Sequence, residues 1–242
     1  MITTILTAYK RHNYLQEQID SIKNQTRKSS EIWIWNNTPV GSQPINLKDK
    51  FGQDCKVIDC NHNFSFFGRF ALATLAQTEY VAIFDDDTIP APQWFDLCLR
   101  TMDEINDGII GGAGVRLKNN RTYEPHDKIG WNANPPSKTT EVDLVGHAWF
   151  FKKSSLKYFF MEEPKSWDNA EDCHFSAMCQ KYGNLKTYVP AIANKPECSP
   201  SSKGFYGRDK HASFKIKKGH SSIRNSVCKT LCSGGWKNSW RK

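Results

Sequence analysis

The chain has 242 residues, with 38% hydrophobic and 12% aromatic content and a formal net charge of +8. That is long enough for one sizeable α/β domain and too apolar for a disordered chain. No apolar run approaches the ~20 residues needed to span a bilayer. The stretch at 2–8 is broken by threonines and followed by Tyr9-Lys10-Arg11, unlike a signal peptide, so a cytosolic protein is expected.

In chain order, residues 2–7 read as a strand. Leu15, Gln18, Ile19 and Ile22 have helical spacing, which predicts an amphipathic helix over 13–24 capped by Asn13. Residues 31–35 form a second strand, closed by the turn signal Asn36-Asn37-Thr38-Pro39, and residues 56–60 a third. A helix is expected over 66–76, a strand over 80–84 and a helix over 92–105. This alternation predicts a mostly parallel, doubly wound central sheet flanked by helices. Beyond it, 109–117 is a Gly-rich strand, 119–140 a polar loop, 142–151 a strand, 169–182 a helix and 185–189 a last strand. Residues 194–213, with Pro196, Pro200 and Gly204, read as a flexible segment.

The charge gathers at the end: residues 203–242 carry eleven Lys/Arg and one acid, Asp209, whereas residues 1–202 carry 22 bases and 24 acids. Such a basic tail suits a pyrophosphate, an anionic membrane or nucleic acid, or is a solvated extension. Eight cysteines are scattered without a CxxC pair, so reduced thiols are expected, and Cys228 and Cys232 fit one helical face.

The most informative stretch is Asp85-Asp86-Asp87 at the end of the strand 80–84, with Pro90 and Pro92 behind it. Adjacent carboxylates repel, and a hard divalent cation, Mg²⁺ or Mn²⁺, relieves that repulsion. Alternation along an extended segment turns Asp85 and Asp87 one way and Asp86 the other. The bland alternative is a solvated acidic turn. The carboxyl end of a strand is where open α/β sheets bind ligands, which favours a site.

Across residues 1–190 the order of the pieces resembles a family-2-type glycosyltransferase of the GT-A fold, a Rossmann-like nucleotide-binding architecture. The opening Thr4 to Arg11 and the phrase Ser21-Ile22-Lys23-Asn24-Gln25 look like that family's first strand and helix. Glu31 to Asn37 sits where the family has a strand ending in carboxylates. Asn61-His62-Asn63-Phe64 and Gly68-Arg69 fall at its Asn-x-Gly and Gly/Arg-rich helix start. Asp85-Asp86-Asp87 is similar to its DxD metal motif, Val142 to Phe151 to its acceptor-side strand, and Glu171-Asp172 to the pair supplying the catalytic base. A small chain starting directly at strand one also resembles glycosyltransferases of large DNA viruses.

The resemblance implies a glycosyltransferase domain over 1–193, with a nucleotide-binding half at 1–107 and an acceptor-binding half at 108–193, followed by a basic, partly flexible segment at 194–242. It implies a metal-dependent inverting transfer from a nucleotide-diphosphate sugar, UDP being favoured by family frequency, to a hydroxyl of a glycan, glycoprotein or glycolipid. Asp172 is then the general base. Asp85, Asp87 and a C-terminal histidine, His211, hold Mn²⁺ or Mg²⁺. Thr7, Ala8, Tyr9, Arg11, Asn36, Asn37, Asn63, Arg69, Asp85 and Asp86 meet the nucleotide, and Gly146, His147, Trp149 and Glu171 the acceptor, although Trp149 on an alternating strand is equally suited to the core. One departure stands out: Asn36 and Asn37 replace the usual carboxylates, which opens the question of how the base is held.

Two other readings remain. A sugar-nucleotide pyrophosphorylase would carry a glycine-rich loop after strand one, and Thr7-Ala8-Tyr9-Lys10-Arg11 has no glycine. A non-catalytic carbohydrate- or nucleic-acid-binding protein would use the basic tail and the eight tryptophans without metal dependence. The enzyme reading expects no nucleic-acid partner and leaves open a tail that touches a membrane-bound acceptor.

Overall fold

The computed structural model describes residues 1–39, 41–43, 45–130, 135–192, 195–201, 209–216 and 218–239. The elements begin with β1 (Ile2–Ala8), α1 (Leu15–Lys23), β2 (Glu31–Asn37), α2 (Lys48–Phe51), β3 (Lys56–Cys60), α3 (Gly68–Ala73), β4 (Tyr80–Phe84) and α4 (Trp94–Ile105). They continue with β5 (Ile109–Ile110), β6 (Ala113–Leu117), β7 (His126–Ile129), β8 (Thr140–Val142), β9 (Leu144–Gly146) and β10 (Ala148–Lys152). The last are α5 (Leu156–Phe159), α6 (Glu171–Gly183), β11 (Thr187–Val189), α7 (Lys195–Cys198), α8 (Ser213–Ile216) and α9 (His220–Ser233).

The main sheet has eight strands in the order β3-β2-β1-β4-β10-β5-β11-β8. Its first four strands are parallel, β10 runs antiparallel to β4 and β5, β11 is parallel to β5, and β8 is antiparallel to β11. Val81 to Phe84 are all buried, as a continuous apolar run in a strand covered on both faces requires. One core packs α1 and α4 against one face, and a second, aromatic core with Phe70, Trp149, Phe159 and Phe175 fills the other. A three-stranded antiparallel sheet, β7-β6-β9, sits beside the main one.

Several expected elements are broken or trimmed. The first turn of the helix expected over 13–24 is a 3₁₀ turn, His12–Tyr14, so Asn13 lies inside it and caps nothing; Tyr14 stands at the N-cap of α1. The helix expected over 66–76 shortens to α3. The strand expected over 109–117 splits at Gly111-Gly112, where the chain leaves the main sheet for the small one. A Cβ on Gly111 would stand 2.4 Å from Cβ of Val145, so the crossing needs a glycine. The polar region 119–140 contains β7. The strand expected over 142–151 is three strands, interrupted by Asp143 and His147. Asp143, between β8 and β9, accepts from Leu117 N (2.6 Å) and from N and Oγ of Ser239 (2.5 and 2.7 Å).

Of the segment expected to be flexible, 194 and 202–208 lie outside the described residues. Part of the rest packs beside the acidic turn: Ala91 N donates to Ser199 O (2.9 Å), Gln93 N to Glu197 O (2.7 Å) and Ile89 N to Ser201 Oγ (3.2 Å). In the basic tail, α9 lies against α6. Val227, Cys228, Leu231, Cys232 and Trp236 form a third core with Cys173, Ala177 and Met178. The eight cysteines are free thiols, and Cys228 and Cys232 do share the buried face of α9.

Candidate active site

The acidic trio begins immediately after β4, and the chain turns at once, with Thr88 N donating to Asp85 O at 3.1 Å. Gln18 on α1, buried and polar, holds this turn from below: its Nε2 donates to Asp85 O (2.7 Å) and Thr88 O (2.9 Å). The three carboxylates face two ways. Asp86 and Asp87 meet Arg11, with Nη1 2.5 Å from Asp86 Oδ1 and Nη2 3.3 Å from Asp87 Oδ2. Asp209 grips the other side of the same guanidinium at 2.6 and 2.7 Å. Burial pushes the Asp86 carboxyl up to about 6 despite Arg11, and the neighbouring Asp87 adds to that rise.

Asp85 pairs with Arg69 and with His147 Nδ1, 2.9 Å from its Oδ2. Burial acts to raise its pKa, but Arg69 and His147 outweigh burial and hold the group well below the usual carboxylate range. The pairing of β4 with β10 produces this contact. Phe84 stands opposite Ala148, so the next residue along, Asp85, donates its N–H to His147 O at 3.1 Å. His147 sits between β9 and β10 with φ +71°, a left-handed conformation unusual for a side-chain-bearing residue. Ligand atoms of Asp85, Asp87 and His147 all lie within 4.8 Å of one another, the geometry of a three-residue metal group. His147 therefore stands with the acidic trio, although the resemblance placed it on the acceptor side. His211, expected at the metal, is not part of this group; its backbone N donates to Asp209 Oδ1 at 2.8 Å.

Arg69, buried on α3, bridges to the second acidic pair. It binds Asp85 with one amine and Glu171 Oε1 with the other, at 2.9 Å. Its guanidinium stacks 4.4 Å from the centre of the Trp149 ring. Of the two readings of Trp149, acceptor face or core residue, the second holds: the residue is 2% exposed, Arg69 lies over its ring, and its Nε1 donates to Val145 O. It supports the arginine instead. Glu171 and Asp172 open α6 after Ala170, which also has φ +71°. Burial and the adjacent Asp172 raise the Glu171 pKa. Burial also acts to raise that of Asp172, yet Arg224 overrides it and lowers the value. Gly146 borders Asp172: a Cβ there would lie 4.0 Å from Oδ2, in ordinary contact.

The expected nucleotide residues line the carboxyl ends of β1 and β2. Thr7 and Ala8 close β1, with Ala8 in register with Asn36. Tyr9, Lys10, His12, Asn36, Thr38 and Ile45 line a cleft of about 270 Å³. The asparagine amides are largely spent on the protein: Asn36 Nδ2 donates to Ile45 O and Asp59 Oδ1, both at 2.8 Å. Asn37 Nδ2 donates to Asn63 Oδ1 (2.9 Å), and Asn63 reaches Tyr9 Oη at 3.4 Å. A larger hollow of about 320 Å³ between Arg121 and Lys229 touches none of the site residues, and shape alone does not make it the site.

The profile described as "Glycosyl transferase family 2" matches residues 3–175 of this chain. The chain belongs to glycosyl transferase family 2. An uncharacterized glycosyltransferase of Haemophilus influenzae is 28% identical over 112 residues, which is 45% of this chain and 34% of the relative. TarS of S. aureus, residues 1–349, solved with UDP, superposes with a TM-score of 0.54 at 17% identity over 78% of this chain and 57% of its own. The same fragment solved with UDP-GlcNAc gives 0.54 and 17% over 78% and 56%. These neighbours establish the GT-A fold. The chain spans about a third of the curated relative's length and under three-fifths of the TarS fragment's. Among the described residues no helix is long and apolar enough to cross a membrane.

Reasoning from the sequence missed Gln18, Asp209 and Arg224. Gln18 had a signal, a polar residue on the apolar stripe of α1. The other two had none beyond their charge.

Proposed function

We propose that this family 2 protein transfers a sugar from a nucleoside-diphosphate sugar, with UDP the favoured carrier, to an acceptor hydroxyl, with divalent-metal dependence and inversion at the anomeric carbon. The observation that carries this reading is Arg69, whose two amines join Asp85 of the acidic trio to Glu171 of the Glu171-Asp172 pair through one buried guanidinium. The neighbouring TarS complexes with UDP and UDP-GlcNAc support a uridine carrier.

Two carboxylates and an imidazole on Asp85, Asp87 and His147 are a donor set that suits Mn²⁺, and Mg²⁺ through the carboxylates. A bound ion supplies Lewis-acid stabilisation of the leaving diphosphate. Arg11 balances Asp86 and Asp87 and stands where a guanidinium can meet phosphate. Tyr9, Asn36 and the cleft beside them take the nucleoside.

Asp172 serves as the general base. It is ionised at neutral pH, although Arg224 makes it a weaker base than a free carboxylate, so position rather than basicity fits it to accept the acceptor proton. The acceptor oxygen forms its bond to the anomeric carbon as the carbon–oxygen bond to the diphosphate breaks, and the electron pair leaves with UDP. Glu171, tied to Arg69, fixes the acceptor side against the donor side.

A melting-temperature panel with UDP, with and without Mn²⁺ or Mg²⁺, tests the reading, because a ligand selective for the folded state raises stability. UDP is expected to raise the melting temperature only with metal present. No shift under any of these conditions removes the proposal's main support. The anomeric configuration of the product, read by NMR, tests inversion.

A further inference from the structure

We propose that Arg224, on α9 and outside the family-matched residues 3–175, is a positioning residue that orients the Asp172 carboxylate, so that the C-terminal helix completes the active site. This rests on the reading of Asp172 as the base.

The two carboxylate oxygens of Asp172 are held from different parts of the chain. Oδ1 accepts from its neighbour's backbone, Cys173 N, at 2.8 Å. Oδ2, the oxygen facing Gly146, accepts from Arg224 Nη2 at 2.7 Å. Arg224 is itself fixed. Its guanidinium lies 4.1 Å from the centre of the Tyr123 ring, and Nη1 is 3.4 Å from Asn169 Oδ1. Asn169 Oδ1 in turn accepts from Ala170 N at 2.7 Å, in the left-handed turn that opens α6. The arginine therefore holds both the carboxylate and the turn that presents it.

Packing alone does not account for an arginine here. Val227, Cys228 and Leu231 already join α9 to α6 through apolar contact. Burying a guanidinium is costly and gains little over a hydrophobic residue of similar volume. The Arg224 side chain is 7% exposed and that of Asp172 14%, so the arginine is the more deeply buried partner of the pair. A general base works only when an oxygen lies within hydrogen-bond reach of the acceptor hydroxyl, and a misplacement of about 1 Å costs on the order of a hundredfold in rate.

The test compares Arg224→Met, Arg224→Lys, Asp172→Asn and the Arg224→Met/Asp172→Asn double variant. UDP release is followed with the UDP-sugar that the wild-type protein turns over, beside the UDP–Mn²⁺ melting shift. Arg224→Met is expected to lower kcat roughly tenfold to a hundredfold, the range of outer-shell partners, with donor KM and the UDP–Mn²⁺ shift nearly unchanged. Arg224→Lys, which keeps charge but loses the rigid fork, is expected to recover part of that loss. In the Asp172→Asn background, Arg224→Met is expected to add no further loss. Wild-type kcat in Arg224→Met, or in Arg224→Gln should the methionine variant not fold, overturns the positioning role, as does a full additional loss in the double variant. Retained transfer by Asp172→Asn, or no release with any UDP-sugar, instead defeats the reading on which it rests.

Discussion

Glu171 and Asp172 are neighbours whose surroundings push their acidities apart. Burial beside another carboxylate raises the first, and Arg224 lowers the second. Divergent acidities in adjacent acids divide roles between them. Asp172→Asn is therefore expected to cut transfer by about 10²–10⁴-fold, the usual worth of a general base, while UDP and Mn²⁺ still raise the melting temperature. Asp87→Ala is expected to erase the Mn²⁺-dependent part of that shift; equal metal-dependent affinity in titration calorimetry contradicts the assignment. The acidic trio and the Glu-Asp pair were legible because each is a run of adjacent residues. His147 was legible only as a polar residue on an apolar strand. Its place beside Asp85 comes from the β4–β10 register and a left-handed backbone, neither written in its neighbours.

The elements held where hydrophobic period and turn chemistry agreed, as in β1, β3, β4 and α4, while β2 runs on through Asn36 and Asn37, which were read as its closing turn. They failed where one apolar run serves two sheets. Residues 109–117 and 142–151 look continuous, yet each crosses from the main sheet to the small one, at Gly111-Gly112 and around Asp143 and His147. Gly111→Ala is expected to destabilise the fold by about 1–3 kcal/mol through overpacking against Val145, read from urea unfolding. A second expectation concerns the joint between α5 and α6. Lys181 foremost, with Tyr182 and Lys165, holds Glu162 down to about 2 from 4.5. A depressed carboxylate stabilises the fold above its unfolded value, and that gain fades as pH falls through the folded one. Glu162→Gln should thus cost up to about 1 kcal/mol at pH 7, solvent screening limiting the effect. The gap between variant and wild type should narrow steadily as urea titrations move from pH 5 toward pH 3; a gap that is constant with pH refutes the pairing.

At the scale of the molecule, ion pairs between distant segments hold the cleft together: Arg11 to Asp209, Arg69 to Glu171, and Arg224 to Asp172. Chelation of divalent metal by EDTA is expected to abolish transfer and the UDP-induced melting shift without unfolding the protein, since three apolar cores carry the fold. Loss of far-UV circular dichroism on chelation contradicts that. By itself the sequence determined the α/β architecture, the acidic turn after the fourth strand and the acidic pair opening a late helix, because strand period, helix spacing and adjacent charges are local properties. Tertiary structure alone decided that Arg69 would join the two acidic groups, that His147 would stand with Asp85 and Asp87, and that the basic tail would return as a helix against α6 with Arg224 on Asp172. Those outcomes depend on strand register and helix packing between residues 50 to 200 positions apart, roughly the scale at which local pattern carries no information about contact.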